Sequence, residues 1–253
     1  MAVKILLVDD HPAEASHHRA LFRGDVDICR DYSELIKAIN DNADWSAAFV
    51  DFDLSGVSGK PQRTGLSALR LLKQLRPRTR RIVYTTFDEN GRMLYAVAAH
   101  HWLKTEIILH KASDDRVLEN AADPRAPNPT PPAWQEKLRR APLIDYLFAQ
   151  DNWLPLWRIW SDYNGSIKVV SDHLPSKNTP RSVREFSEQA TDAMINFKAA
   201  FYGQAQTTYV RRNVARATPL VAFVDANSKF FNALDLQEVL DLAKPWERIG
   251  HST

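Results

Sequence analysis

Three short apolar runs, each closed by a charged residue, constrain the fold of this chain most. Ile5-Leu6-Leu7-Val8 runs into Asp9-Asp10, Ala47-Ala48-Phe49-Val50 runs into Asp51, and Ile107-Ile108-Leu109 is followed by Lys111. Unbroken apolar runs of this length read as parallel strands buried on both faces. In an open parallel α/β sheet, ligands bind beyond the carboxyl ends of the strands. The three runs therefore deliver three carboxylates and a lysine to one rim, a set suited to a divalent cation and a phosphoryl group. Taken singly the same residues have plainer roles. Asp9 and Asp10 suit the cap of a helix beginning near Pro12, and Lys111 suits an exposed surface.

Further segments fall in order around these runs: Lys4–Pro12, Phe49–Gly56, Gly65-Leu-Ser-Ala-Leu69, Ile82–Asp88 and Leu109-His-Lys111. Together, over residues 3–121, they resemble the receiver domain of two-component response regulators, a flavodoxin-like α/β fold with a five-stranded parallel sheet. The resemblance implies that Asp51 is the phosphoacceptor. It also implies that Asp9 and Asp10 hold Mg²⁺ together with Asp51 and the backbone carbonyl of Asp53. Thr85 would be the switch hydroxyl, Lys111 the phosphoryl-contacting lysine, and a sensor histidine kinase the phosphodonor. It implies no enzyme beyond Mg²⁺-dependent self-phosphotransfer. The residue types suit that chemistry. Mg²⁺ takes oxygen ligands in octahedral geometry, and phosphoryl transfer asks mainly for positioning and charge stabilisation. The chain departs from the family pattern at Ser55 and Ala112, where proline is usual. Ile108 stands at the usual switch aromatic, with Tyr84 as a substitute, and the Phe52–Thr64 and Ala98–Lys111 stretches are longer than usual.

The chain's 253 residues suit one or two domains, and 44% hydrophobic residues with 25% charged ones suit a chain with a real core. No apolar run approaches the length of a transmembrane helix, and the N-terminus leads straight into a strand rather than a signal peptide. The single cysteine, Cys29, excludes an intramolecular disulfide and fits a reducing compartment. These features predict a cytoplasmic protein with no membrane partner. The paired histidines His17-His18 and His100-His101 are poor chelators, because adjacent helical residues face apart.

Five prolines between Pro124 and Pro132 predict a semi-rigid spacer over 123–133. It separates a receiver at 1–122 from a helical output domain at 134–253. Beyond it the pattern predicts helical connectors over Ala133–Ala149, then helices over Trp153–Tyr163, Ser166–Leu174 and Thr179–Tyr202. Thr179-Pro180 forms an N-cap and N1 pair, and Val183, Phe186, Ala190, Met194 and Phe197 form one apolar face. The 153–202 stretch resembles the helix-turn-helix output domains of the NarL/LuxR family. That resemblance implies double-stranded DNA as a partner. The start of a recognition helix meets base edges, which nominates Lys177, Asn178, Arg181, Ser182, Arg184 and Glu185, with Lys168 nearer the phosphates. Residues 153–216 hold nine Lys/Arg against five Asp/Glu, a modest bias toward phosphate contact. Thr218-Pro219 reads as another helix start, and Asp235 as the cap of a helix through Leu242.

These expectations describe a response regulator that acts on transcription, with a homodimer as a possible form. Two alternatives stand beside it: a receiver-linked protein-interaction adaptor, and an atypical regulator that works without phosphorylation.

Overall fold

The computed structural model describes residues 4–22, 25–41, 44–54, 63–87, 91–174, 179–203 and 213–250. Its first half alternates strand and helix: β1 (Ile5–Val8), α1 (Pro12–Leu21), β2 (Val26–Cys29), α2 (Tyr32–Asn40), β3 (Ala47–Val50), α3 (Gly65–Leu75), β4 (Arg80–Thr85), α4 (Arg92–Leu103), β5 (Ile107–His110) and α5 (Asp115–Ala122). The strands are parallel in the order β2-β1-β3-β4-β5. The apolar runs of β1 and β3 are buried throughout, as a sheet covered on both faces requires.

Strand alternation divides the sheet's side chains between two layers. Ile5, Leu7, Phe49, Ile82, Tyr84, Ile107 and Leu109 pack with residues of α1 and α5. Leu6, Val8, Ala48, Val50, Val83 and Ile108 pack with α2, α3 and α4. The second layer continues, unbroken, into the C-terminal half.

That half is helical: α6 (Pro132–Leu138), a 3-10 helix (Ala141–Phe148), α7 (Trp153–Trp160), α8 (Ile167–His173), α9 (Pro180–Phe201), α10 (Asn213–Ala226), α11 (Ser228–Phe231), α12 (Leu236–Ala243) and α13 (Pro245–Gly250). Trp153, Trp157, Trp160, Phe186, Phe197, Phe230 and Phe231 are fully buried and belong to the same core as α3 and α4. Polar contacts reinforce the join. The Asp145 carboxylate of the 3-10 helix accepts hydrogen bonds from Trp102 Nε1 (2.8 Å) on α4 and from Arg248 (2.7 and 2.8 Å) on α13, and pairs with His101 Nε2 (2.9 Å) on α4. Burial alone would raise this acid, but the bonds from Arg248, His101 and Trp102 outweigh it and bring its pKa to about 2.

The proline-rich stretch expected as a spacer lies along the β5 edge of the sheet. Ile108 N donates to Thr130 Oγ1 (3.0 Å), and Asn128 Nδ2 donates to the Glu106 carbonyl (2.9 Å). Arg80 donates to the carbonyls of Asp123 and Ala126. This pairs an N–H and a carbonyl that the edge of the sheet would otherwise leave open.

One boundary and one cap differ from the sequence pattern. The helix expected to start at Thr218-Pro219 begins at Asn213, with Pro219 inside it. A proline in a helix interior removes one backbone bond, and the burial of Leu220, Phe223 and Val224 just beyond it offsets that cost. Asp235 does precede α12, but its carboxylate makes no bond to that helix. It is spent on α3, as described below.

His18 on α1 is fully buried, edge-on to Phe49 and Tyr84 with ring centroids 5.0 and 5.1 Å away. Its Nδ1 lies 3.1 Å from the Glu14 carbonyl. A carbonyl only accepts, so Nδ1 carries the proton, while Nε2 is buried without a hydrogen-bond partner. Burial drives its pKa down from 6.5 to about 4. The unfolded chain therefore binds this proton more readily than the folded one. Stability is full above the unfolded pKa and falls as pH drops toward the folded value, by about 3 kcal/mol in all. His18→Phe is expected to remove that part of the acid sensitivity. Urea unfolding at neutral pH and again near the folded pKa measures it, and equal acid losses in both proteins would refute it.

Candidate functional site

The carboxyl ends of β1, β3, β4 and β5 bring Asp9, Asp51, Thr85 and Lys111 together. Asp9 and Asp51 are each only 1% exposed, so their charges need partners. Lys111 Nζ lies 2.7 Å from Asp9 Oδ2 and 2.9 Å from Asp51 Oδ2. Burial alone would lower the lysine's pKa, but Asp51 and Asp9 outweigh it and hold the pKa above its ordinary value. Asp9 Oδ1 accepts from the His11 backbone N–H (2.9 Å). Burial still raises the Asp9 pKa to about 6, against the pull of Lys111 and with the help of Asp51.

The other oxygen of Asp51 faces a second set of donors. Thr85 Oγ1 donates to Asp51 Oδ1 at 2.6 Å, and Arg92 Nη1 reaches the same oxygen at 3.1 Å and Thr85 Oγ1 at 2.8 Å. Arg92 Nη2 pairs with Asp53 Oδ2 at 3.3 Å, and Lys229 of α11 meets that oxygen at 2.7 Å. Three carboxylates thus face three cations, Lys111, Arg92 and Lys229, within one connected network.

Backbone geometry fixes these parts. Gly65 opens α3 against β3: a Cβ there would lie 2.0 Å from the Asp51 carbonyl oxygen and 2.6 Å from Tyr95 Oη, so only glycine permits the approach. Gly91 precedes Arg92 with φ +88°, and a Cβ there would lie 2.4 Å from Cβ of Phe230 on α11. Both the left-handed backbone and the close packing select glycine. The C-terminal half therefore touches the pocket's rim directly.

Every residue nominated for the receiver rim lies at this end of the sheet. Asp10 is half-buried next to Asp9. Asp53 takes part through its carboxylate, where the resemblance implied its carbonyl. Tyr84 is fully buried, its hydroxyl donating to Glu14 Oε2 (2.8 Å) and the Lys111 carbonyl (3.1 Å). Ser55 lies outside the described residues. Arg92 and Lys229 were not foreseen. The available signal was the Gly91-Arg92 pair, seven residues past Thr85, while nothing local marks Lys229.

The Mg²⁺ that the resemblance implies would need several free oxygen ligands at this rim. Among the described residues no group of three or more His, Cys, Asp or Glu side chains is placed to hold a metal ion. Both Asp51 oxygens are engaged, one by Lys111 and the other by Thr85 and Arg92, and Asp9 is shared with Lys111. As arranged, the residues do not fit a divalent-cation nest.

The nominated DNA contacts lie far along the chain on α8 and α9. Lys168, Arg181 and Arg184 are exposed. Ser182 N and Oγ bond back to Thr179, in the cap of α9. Arg181 Nε pairs with Glu185 Oε1 at 3.1 Å. Lys177 and Asn178 lie outside the described residues, as does Arg211-Arg212. No described helix is long and apolar enough to cross a membrane.

A five-stranded parallel sheet in the order 2-1-3-4-5, with acidic tips on β1 and β3 and a lysine after β5, has the flavodoxin-like topology. No protein-family model and no curated protein matches the chain. Among solved structures it is similar to response regulators. One, from Burkholderia pseudomallei, carries a phosphorylated aspartic acid, a calcium ion and citrate; it is 19% identical over 72% of this chain and 96% of its own, with a TM-score of 0.39. Another, RcsB of Salmonella enterica serovar Typhimurium bound to a promoter in the presence of phosphomimetic BeF3-, is 17% identical over 88% of this chain and 99% of its own, with a TM-score of 0.48. A third, two RcsB dimers on parallel DNAs, is 16% identical over 89% and 99%, with a TM-score of 0.45.

Proposed function

We propose that the chain is a response regulator in which Asp51 accepts a phosphoryl group from a sensor histidine kinase. The observation that carries this reading is the Asp51 carboxylate itself, buried at the tip of β3 with a hydroxyl and two cations on its two oxygens. A carboxylate oxygen of Asp51 attacks phosphorus as the P–N bond of the phosphohistidine breaks. The bonding pair leaves with the imidazole nitrogen, which takes up a proton. Lys111 and Thr85 then face the new phosphate, and fixed donors of this kind stabilise the charge that develops during transfer.

The response passes to the helical half. The exposed side chains of Lys168, Arg181 and Arg184 support double-stranded DNA as the target, read by the first turn of α9. Binding as a homodimer would double the phosphate contacts. The protein-interaction adaptor remains the second reading, and the core shared by α3, α4 and the C-terminal helices favours it, because it opposes release of that half as a separate body. Intact-mass analysis after incubation with a small phosphodonor tests the acceptor. One added phosphoryl group is expected on the unaltered protein and none on Asp51→Asn, whereas a label that survives the substitution removes Asp51 from the role. Anisotropy of the full chain on duplex DNA across a salt series tests the output: binding that weakens steeply with salt supports DNA, and no binding at low salt favours the adaptor.

A further inference from the structure

Resting on the Asp51 acceptor reading, we infer that Arg92 is a second phosphoryl-contacting residue that supplies, from the chain itself, the positive charge a divalent cation would bring to this pocket.

Three features of the geometry argue for it. Arg92 engages the one Asp51 oxygen that Lys111 does not, at 3.1 Å, while Lys111 holds the other at 2.9 Å. A phosphoryl group on either oxygen therefore meets a cation. The same guanidinium nitrogen contacts Thr85 Oγ1 at 2.8 Å, which places hydroxyl and arginine side by side as donors. Finally, Lys111 and Arg92 between them engage both oxygens of Asp51, Lys229 joins Arg92 on Asp53, and no cation nest exists among the described residues. Guanidinium is a planar fork suited to phosphate oxygens, and it keeps its charge at every accessible pH.

The position of Arg92 is built rather than incidental. It is the first residue of α4, its side chain is 17% exposed, and Gly91 fixes its backbone against Phe230. Asp53 aims the second guanidinium nitrogen from the rim. When the phosphoryl group arrives, its oxygens take over contacts that Asp51 and Thr85 now make with Arg92. The guanidinium shifts its bonds without leaving the pocket.

The test is the rate of labelling of the full chain by acetyl phosphate, read by intact mass, in Mg²⁺ and in excess EDTA. The unaltered protein is expected to label at similar rates in both. Arg92→Gln is expected to label roughly a hundredfold more slowly in EDTA, the scale of losing one fixed donor to a developing oxyanion. Arg92→Lys keeps the charge and is expected to recover part of the rate, which separates loss of charge from loss of fold; circular dichroism of each variant checks the fold directly. Labelling that depends wholly on Mg²⁺, or Arg92→Gln that labels in EDTA like the unaltered protein, overturns the role of Arg92 while leaving Asp51 as acceptor. No label on Asp51 in either condition overturns the acceptor reading and this inference together.

Discussion

Asp235→Ala is expected to lower the unfolding free energy by about 4 kcal/mol, the scale of stripping a buried charge-assisted network of its acceptor. Asp235 is completely buried. Its Oδ2 accepts from Thr64 N (3.0 Å), Thr64 Oγ1 (3.0 Å) and Ser67 N (2.9 Å), all at the start of α3 and about 170 residues away in sequence. A carboxylate from the C-terminal half thus caps a helix of the N-terminal half, where the helix dipole also favours negative charge. Removing it orphans the N–H donors of Thr64 and Ser67. Asp235→Asn keeps one acceptor oxygen and is expected to cost about half as much. Around this cap, Glu238 pairs with Arg63 (2.8 Å) and Arg70 (2.5 Å), but those groups are partly exposed and contribute less. Urea unfolding followed by tryptophan fluorescence and far-UV circular dichroism measures the loss. Coincident curves that shift together are expected, because the two halves share one core. A shift below about 1 kcal/mol, or a transition of the α/β half left in place while the helical half melts early, would refute the clamp.

The consequences for the site follow from the same geometry. Thr64 and Gly65 adjoin the Asp51 carbonyl, and Gly65 N donates to the Phe52 carbonyl (3.0 Å). Loosening the start of α3 therefore loosens the backbone that presents Asp51. Lys229 on Asp53 makes a second tie, from α11 to the loop that follows β3. The pocket is held at the start of α3 and at Asp53 by the half of the chain that lies after it in sequence.

What could be read from the residues alone divides along physical lines. The strands were legible because a parallel strand covered on both faces cannot hide its composition, and Ile5–Val8 and Ala47–Val50 contain nothing polar. Asp9, Asp51, Thr85 and Lys111 were legible because topology alone sends strand ends to one rim. Arg92 was not, since its value depends on a long side chain crossing from the start of α4 to the tip of β3. Lys229 and Asp235 were less legible still: each meets a partner about 170 residues away, and no local pattern encodes such a distance. Asp235 also misleads, because an acid before a helix reads as that helix's own cap. His18 misleads in another way. It is a polar residue on a weakly amphipathic helix, and only the packing of Phe49 and Tyr84 shows that α1 turns it inward.

Trp157→Ala is expected to cost about 4 kcal/mol, within the range for removing a large buried aromatic. Trp157 is fully buried at the meeting point of α7, α9, α10 and α11. Its ring stacks on Phe231 (centroids 4.7 Å apart, planes 11° apart) and stands edge-on to Phe186 at 5.1 Å and Phe223 at 6.0 Å. Its Nε1 donates to the Leu147 carbonyl at 2.6 Å, so truncation also leaves a buried acceptor unpaired. Trp157→Phe keeps most of the aromatic packing but loses that donor, and is expected to cost about 2 kcal/mol. The difference between the two variants isolates packing from hydrogen bonding. Because Phe231 also contacts Phe230, which in turn packs on Gly91 beside Arg92, the loss should reach the pocket. Trp157→Ala is expected to slow Asp51 labelling under conditions in which the variant remains folded, while Trp157→Phe labels at the normal rate. Equal labelling by all three proteins would show that the aromatic core supports the fold without setting the position of Arg92.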